Sequence, residues 1–138
     1  MQQKLRSQGL LDDVEFLEDF TAAARGTFLQ TLSVLSVPEK QPMAYGLYVL
    51  EALAAGVPVV EPATGVFPEL LEITGGGLLC EPNNPDALAD AIGGLLLDSD
   101  RARELGKRGR EAICERFDIN QTAAEMVRTY GQIAQKFA

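Results

Sequence analysis

The stretch from residue 33 to residue 62 constrains the fold more than any other part of the chain. It opens with a short apolar, β-branched run at 34–37. A loop rich in turn residues leads to Gly46, and apolar residues then recur at helical spacing up to Gly56. A second apolar run begins at Val57. Strand, glycine-bearing loop, helix and strand predict a βαβ unit, whose helix N-terminus favours an anion such as a phosphate.

The rest of the chain continues the alternation of strands and helices. Short strands are predicted at 14–17 and 77–80. Helices are predicted at 1–9, 20–32 and 68–73 and over three stretches after a cap at Asn84. The last helix has an apolar stripe formed by Ala123, Met126, Val127, Tyr130, Ile133 and Phe137. This order predicts one α/β domain over residues 1–138 with a mainly parallel sheet.

Composition excludes several classes of function. A formal net charge of −8 argues against a nucleic-acid partner. No apolar run approaches the roughly 20 residues that span a bilayer, and no signal peptide precedes Leu5, so a cytoplasmic location is expected. The chain contains no histidine, which removes the commonest general base and metal ligand. Asp98 and Asp100 have the spacing of a metal-binding pair, but their position between two helices favours capping, and no metal site is predicted.

The residue identities in the central stretch are more specific than its pattern of apolar positions. It contains Met43-Ala44-Tyr45-Gly46, four residues, and then Glu51-Ala-Leu-Ala-Ala-Gly-Val-Pro-Val59. This resembles the donor-binding motif of the group 1 family of GT-B retaining glycosyltransferases, Glu-x-Phe-Gly, four residues, and Glu-Ala-x-Ala-x-Gly-x-Pro-Val. Residues 61–70 and 75–84 fit as well, and the resemblance extends from about Leu5 to the C-terminus. It implies the Rossmann-like, three-layer C-terminal domain of such an enzyme, without the acceptor domain.

The resemblance also implies the residues that bind a donor. Glu51 would accept hydrogen bonds from the ribose hydroxyls of a nucleotide-diphosphate sugar of the UDP or GDP type, with no further cofactor. The backbone of Tyr45, Gly46, Leu47 and Tyr48 would approach the diphosphate and the sugar. For Glu51, the alternative is a solvated helix glutamate. For residues 45–48, the alternative is an ordinary loop that leads into a buried helix.

Met43 is the main departure from the family pattern. Family members have a glutamate there that contacts the donor sugar, whereas a thioether accepts hydrogen bonds poorly and carries no charge. No catalytic residue is therefore assigned, and sugar transfer is expected to be weak or absent. A non-catalytic module for assembly or nucleotide sensing is the alternative function. Glu69, Leu17 and Glu18 are further candidates for contacts with the donor; the alternatives are a helix cap for Glu69 and core packing for the other two.

The resemblance also exposes a gap in the sheet. The family's domain begins with two βα units that have no counterpart here, and they carry basic residues for the diphosphate. The doubly wound strand order would place the absent strands between 14–17 and 34–37. Either these two segments pair directly, or a partner chain or swapped element completes the sheet, which would give a homo-oligomer or swapped dimer.

Overall fold

A computed structural model describes residues 2–17 and 21–136 of the 138-residue chain. The helices are α1 (Gln2–Ser7), α2 (Ala22–Gln30), α3 (Leu47–Ala54), α4 (Phe67–Thr74), α5 (Pro85–Leu97), α6 (Ser99–Arg116) and α7 (Ile119–Lys136). A short 3₁₀ helix spans Leu11–Asp13, and the strands are β1 (Val59–Pro62) and β2 (Gly77–Cys80). The predicted alternation of helices and strands is confirmed from α3 to α5.

The sheet is parallel and small. Strands β1 and β2 pair with Val59 opposite Gly77. Leu35 forms a parallel bridge to the other side of β1, where its N–H donates to the Pro58 carbonyl at 3.0 Å and its carbonyl accepts from the Val60 N–H at 2.9 Å. The segment at Leu35, β1 and β2 therefore end at the same side of the sheet, called the carboxyl edge below. These features confirm an α/β fold with a parallel sheet.

Two predicted strands differ from the structure. Residues 14–17 form no strand, and of residues 34–37 only Leu35 makes a bridge. A strand persists only when a neighbour takes its backbone hydrogen bonds, and in the described residues the Leu35 segment has a neighbour on one side alone. Of the two alternatives for the gap in the sheet, direct pairing between 14–17 and 34–37 is therefore wrong.

The core lies between the central helix and the sheet. Helix α3 buries Val49, Ala52 and Leu53 completely, and Val59 and Phe67 pack into the same cluster without any exposed surface. The apolar spacing of α3 produces this burial, because residues three and four apart share one helix face. The βαβ unit predicted from the sequence is therefore the centre of the packed domain.

Side-chain caps begin the later helices where the sequence predicts them. Asn84 Oδ1 accepts from the Ala87 N–H at 3.0 Å at the start of α5. Asp98 Oδ1 accepts from the Arg101 N–H at 3.0 Å at the start of α6, so this aspartate is a helix cap, as expected. Within the described residues, no group of three or more acidic, cysteine or histidine side chains could hold a metal ion.

Helix α7 has no buried residue, and its apolar stripe is exposed at Met126, Val127, Tyr130 and Ile133. Phe137, the last residue of the predicted stripe, lies outside the described residues. In the described part of the chain, no helix is both long and apolar enough to cross a membrane.

Candidate functional site

Three helix N-termini meet at the carboxyl edge of the sheet. Helix α3 follows the Leu35 segment, α4 follows β1, and α5 follows β2. In a parallel sheet, helices that follow strands begin at the strands' carboxyl ends, so all three direct their first N–H groups to this edge. The positive ends of their dipoles make the edge attractive to an anion.

The loop at 38–46 is fixed against the start of α4. Gly46 caps α3 with a φ of +56°, and a Cβ atom there would lie 3.2 Å from the Phe67 ring. Gly65 has a φ of +57°, and a Cβ atom on it would lie 2.5 Å from the Met43 carbonyl oxygen. The Val66 N–H donates to that same carbonyl at 3.0 Å. Both glycines are therefore required by backbone conformation and by close approach.

Met43 is partly buried, and its side chain packs against the hydrophobic core. A flexible thioether suits this irregular apolar surface. At this position, the side chain that departs from the family pattern therefore contributes to packing.

The predicted donor-binding residues divide into two groups. Tyr45 and Leu47 are 77% and 66% exposed, so the side chains at the start of α3 lie open to solvent. Tyr48 is half-buried, its ring lies 6.3 Å from that of Phe67, and its hydroxyl is buried with no hydrogen-bond partner in the described residues. The N–H groups of Leu47 and Tyr48 belong to the first turn and have no acceptor within the helix.

Glu51 lies one turn beyond Leu47 on the same face of α3. Its Oε1 atom lies 2.9 Å from Nη2 of Arg25 in α2, and both side chains are partly exposed. This ion pair joins the middle of α3 to α2. Arg25 was not among the predicted site residues; the available signal was an isolated cation in an alanine-rich helix.

Glu61 is a second residue that sequence reasoning missed. It lies in β1 with 0% exposure, and its Oε1 accepts from the Val37 N–H at 3.1 Å. Burial raises the pKa of Glu61 to about 8; the Val37 N–H opposes this shift and the charge of Glu39 adds to it. Burial, and then the charges of Glu61 and Glu39, raise the pKa of Tyr48 to about 12. The available signal was an acidic residue directly after an apolar β-branched run.

The remaining candidates lie apart from these contacts or outside the described residues. Glu69 is exposed in the first turn of α4, where its charge suits the helix dipole. Leu17 is exposed in the irregular segment that follows the 3₁₀ helix. Glu18 lies outside the described residues. Their contacts with a donor stay predictions.

An open groove of about 470 Å³ also runs along the carboxyl edge. Its walls include Pro38 and Lys40 from the loop, Pro62 and Cys80 from the two strand ends, and Asn84 from the start of α5. It extends from the loop that follows the Leu35 segment, across the ends of β1 and β2, to the start of α5. The residues at the exposed start of α3 are not among its walls, but the loop that leads into α3 is.

The family model described as "Glycosyl transferases group 1" matches residues 1–112. This chain belongs to the group 1 glycosyl transferases. It is 30% identical over 135 residues to the phosphatidyl-myo-inositol mannosyltransferase of Mycobacterium leprae. The aligned region covers 96% of this chain and 36% of that protein. The chain thus spans about a third of the length of this relative.

Two solved structures have the same fold over most of this chain. Sucrose-phosphate synthase from Thermosynechococcus elongatus superposes with a TM-score of 0.86 and 30% identity, over 97% of this chain and 33% of that one. HepE from Anabaena, solved in complex with UDP, superposes with a TM-score of 0.80 and 27% identity, over 92% of this chain and 35% of that one. This group 1 glycosyl transferase chain therefore shares its fold with a protein that was solved with bound UDP.

Proposed function

We propose that this chain is the donor-binding part of a retaining glycosyltransferase and binds a nucleotide-diphosphate sugar at the carboxyl edge of its sheet. The observation that carries the proposal is the exposed start of α3, where first-turn N–H groups lie one turn from the carboxylate of Glu51. An anion and a pair of hydroxyls, separated as in a nucleoside diphosphate, match these two features. The transfer reaction, its acceptor and its linkage belong to the whole protein.

The electrostatics of the site support a phosphate at the start of α3 and ribose hydroxyls at Glu51. A carboxylate near a diphosphate would repel it, but the Arg25 guanidinium 2.9 Å from Glu51 offsets part of that charge. The dipole of α3 then faces the phosphate, while Glu51 accepts from neutral hydroxyls. UDP is the first nucleotide to test because HepE, with 27% identity, was solved with it, and GDP is the second.

Ligand-detected NMR of the purified chain tests the proposal. The panel contains UDP, GDP, ADP and their common sugar conjugates. Saturable binding of one diphosphate, with competition by its own sugar conjugate, is the expected result and identifies the base. Binding of none of them at millimolar concentration would count against a donor site in this chain.

A non-catalytic module for assembly or nucleotide sensing is the second candidate, and Met43 is the observation that favours it. In a protein that carries both domains, we expect Met43→Glu to raise sugar transfer about 10-fold or more, because the new carboxylate can contact donor hydroxyls and stabilise positive charge. Met43→Gln is the control, because glutamine has the length and polarity of glutamate but carries no charge. Transfer that stays undetectable in Met43→Glu, in a variant that still binds the donor, would favour the module.

The partner that completes the sheet is also part of the proposal. The Leu35 segment has a strand on one side alone within the described residues, so its other side offers backbone groups for pairing. A second copy of the chain or a swapped element would satisfy these groups and produce a homo-oligomer.

A further inference from the structure

Glu61 connects the sheet to the loop that precedes the proposed donor site. It lies in β1, while Val37, whose N–H it accepts at 3.1 Å, lies directly before the loop at 38–46. The carboxyl group has no exposed surface, and its Oε2 atom has no hydrogen-bond partner in the described residues. The bond to Val37 therefore fixes the point at which the chain leaves the sheet toward Gly46.

The surroundings of Glu61 favour its neutral form. Glu39 from the loop brings a second negative charge toward it, and Tyr48 from α3 and Cys80 from β2 are neutral acids whose own ionisation its charge opposes. The hydroxyls of Ser36 and Tyr48 are also buried without partners in the described residues. A carboxylate here would have to draw water between the loop and α3, because a buried charge without compensation is costly.

We propose that Glu61 is a positioning residue for the donor loop, which it holds in place as a protonated carboxyl and disturbs when it ionises in alkaline solution. The proposal rests on the proposed function for its ligand, but its mechanism concerns only the loop. The protonated group keeps Oε1 as acceptor for the Val37 N–H and adds no charge beside Glu39. The ionised carboxylate repels Glu39 and draws water into the space between the loop and α3. Both effects move the loop and the start of α3.

Carbon-13 NMR of the Glu61 carboxyl group and nitrogen-15 NMR of the amides test the loop directly. We expect the carboxyl group to titrate with a midpoint near pH 8, in line with its raised pKa. The Gly46 and Leu47 amides should shift with the same midpoint, and in Glu61→Gln they should not shift. Glu39→Gln should move the midpoint to lower pH because one source of repulsion is gone. A titration midpoint of the carboxyl group near the ordinary value for glutamate would overturn the proposal. Loop amides whose chemical shifts do not change with this titration would also overturn it.

UDP affinity supplies the second readout. If only the protonated form is competent to bind, wild-type affinity falls about 10-fold as the pH is raised from about 7 to about 9. Glu61→Gln, which is neutral and similar in shape, should keep its affinity constant over this range. Equal pH profiles for the two proteins would overturn the role in donor binding. If UDP fails to bind either protein at neutral pH, the proposed function fails, and the amide titration still decides the role of Glu61.

Discussion

Replacing Gly106 with alanine should lower the free energy of unfolding by about 3 kcal/mol or more. Gly106 is buried in α6, where a Cβ atom would overlap the carbonyl oxygen of Gly56 and lie 3.3 Å from Cδ of Pro58. The obstacle is backbone at the end of α3, so no rotation of a side chain can relieve it. Helix α6 would have to move away from α3 and expose part of the core.

Gly131→Ala is the matched control for Gly106→Ala. Gly131 lies in α7, and a Cβ atom on it would meet nothing within 4 Å. Alanine there should stabilise the helix by up to about 1 kcal/mol, because glycine is the poorer helix former. Urea unfolding of both variants measures the difference. Equal stability of Gly106→Ala and Gly131→Ala would contradict the close approach of α6 to the backbone at the end of α3.

Replacing Glu51 with alanine should weaken nucleotide-sugar binding about 100-fold, because two hydrogen bonds to a charged group are lost. The fold should change little. Glu51 is partly exposed, and its ion pair with Arg25 is of the exposed kind that contributes at most about 1 kcal/mol. Isothermal titration with the nucleotide that binds best measures the affinity, and thermal unfolding measures the stability.

Two further variants separate the roles within this pair. Glu51→Gln keeps the shape and one acceptor oxygen, so its affinity should fall between those of the wild type and Glu51→Ala. Arg25→Gln leaves the carboxylate in place without its cation, and a smaller loss is expected. An unchanged affinity in Glu51→Ala would remove the ribose role that is proposed for this residue.

The sequence predicts the centre of the domain well because its signals there are local. The apolar spacing of residues 47–54 predicts α3, and the run at 77–80 coincides with β2. The caps at Asn84 and Asp98 follow from one side chain and the N–H groups next to it. The strand predicted at 14–17 depends on a neighbour, and periodicity alone does not show whether one is present.

The site is predicted less completely than the fold, since its contacts join distant parts of the chain. The start of α3 follows from the motif at Gly46. The Arg25 and Glu51 pair, and the bond from Val37 to Glu61 across 24 residues, arise only when α2, α3 and the sheet pack together. Whether Met43 would face the core or the solvent was equally a matter of tertiary packing.

We propose that a nucleoside diphosphate binds at the start of α3. Titration of the nitrogen-15-labelled chain with UDP and with GDP, followed by amide chemical shifts, tests it most directly. We expect saturable shifts at Gly46, Leu47 and Tyr48 with one of the two nucleotides. These shifts should be lost in Glu51→Ala and much weaker with the corresponding nucleoside, which has no phosphate. Saturable shifts confined to the groove near Cys80 and Asn84, or none with either nucleotide, would contradict a donor site at the start of α3.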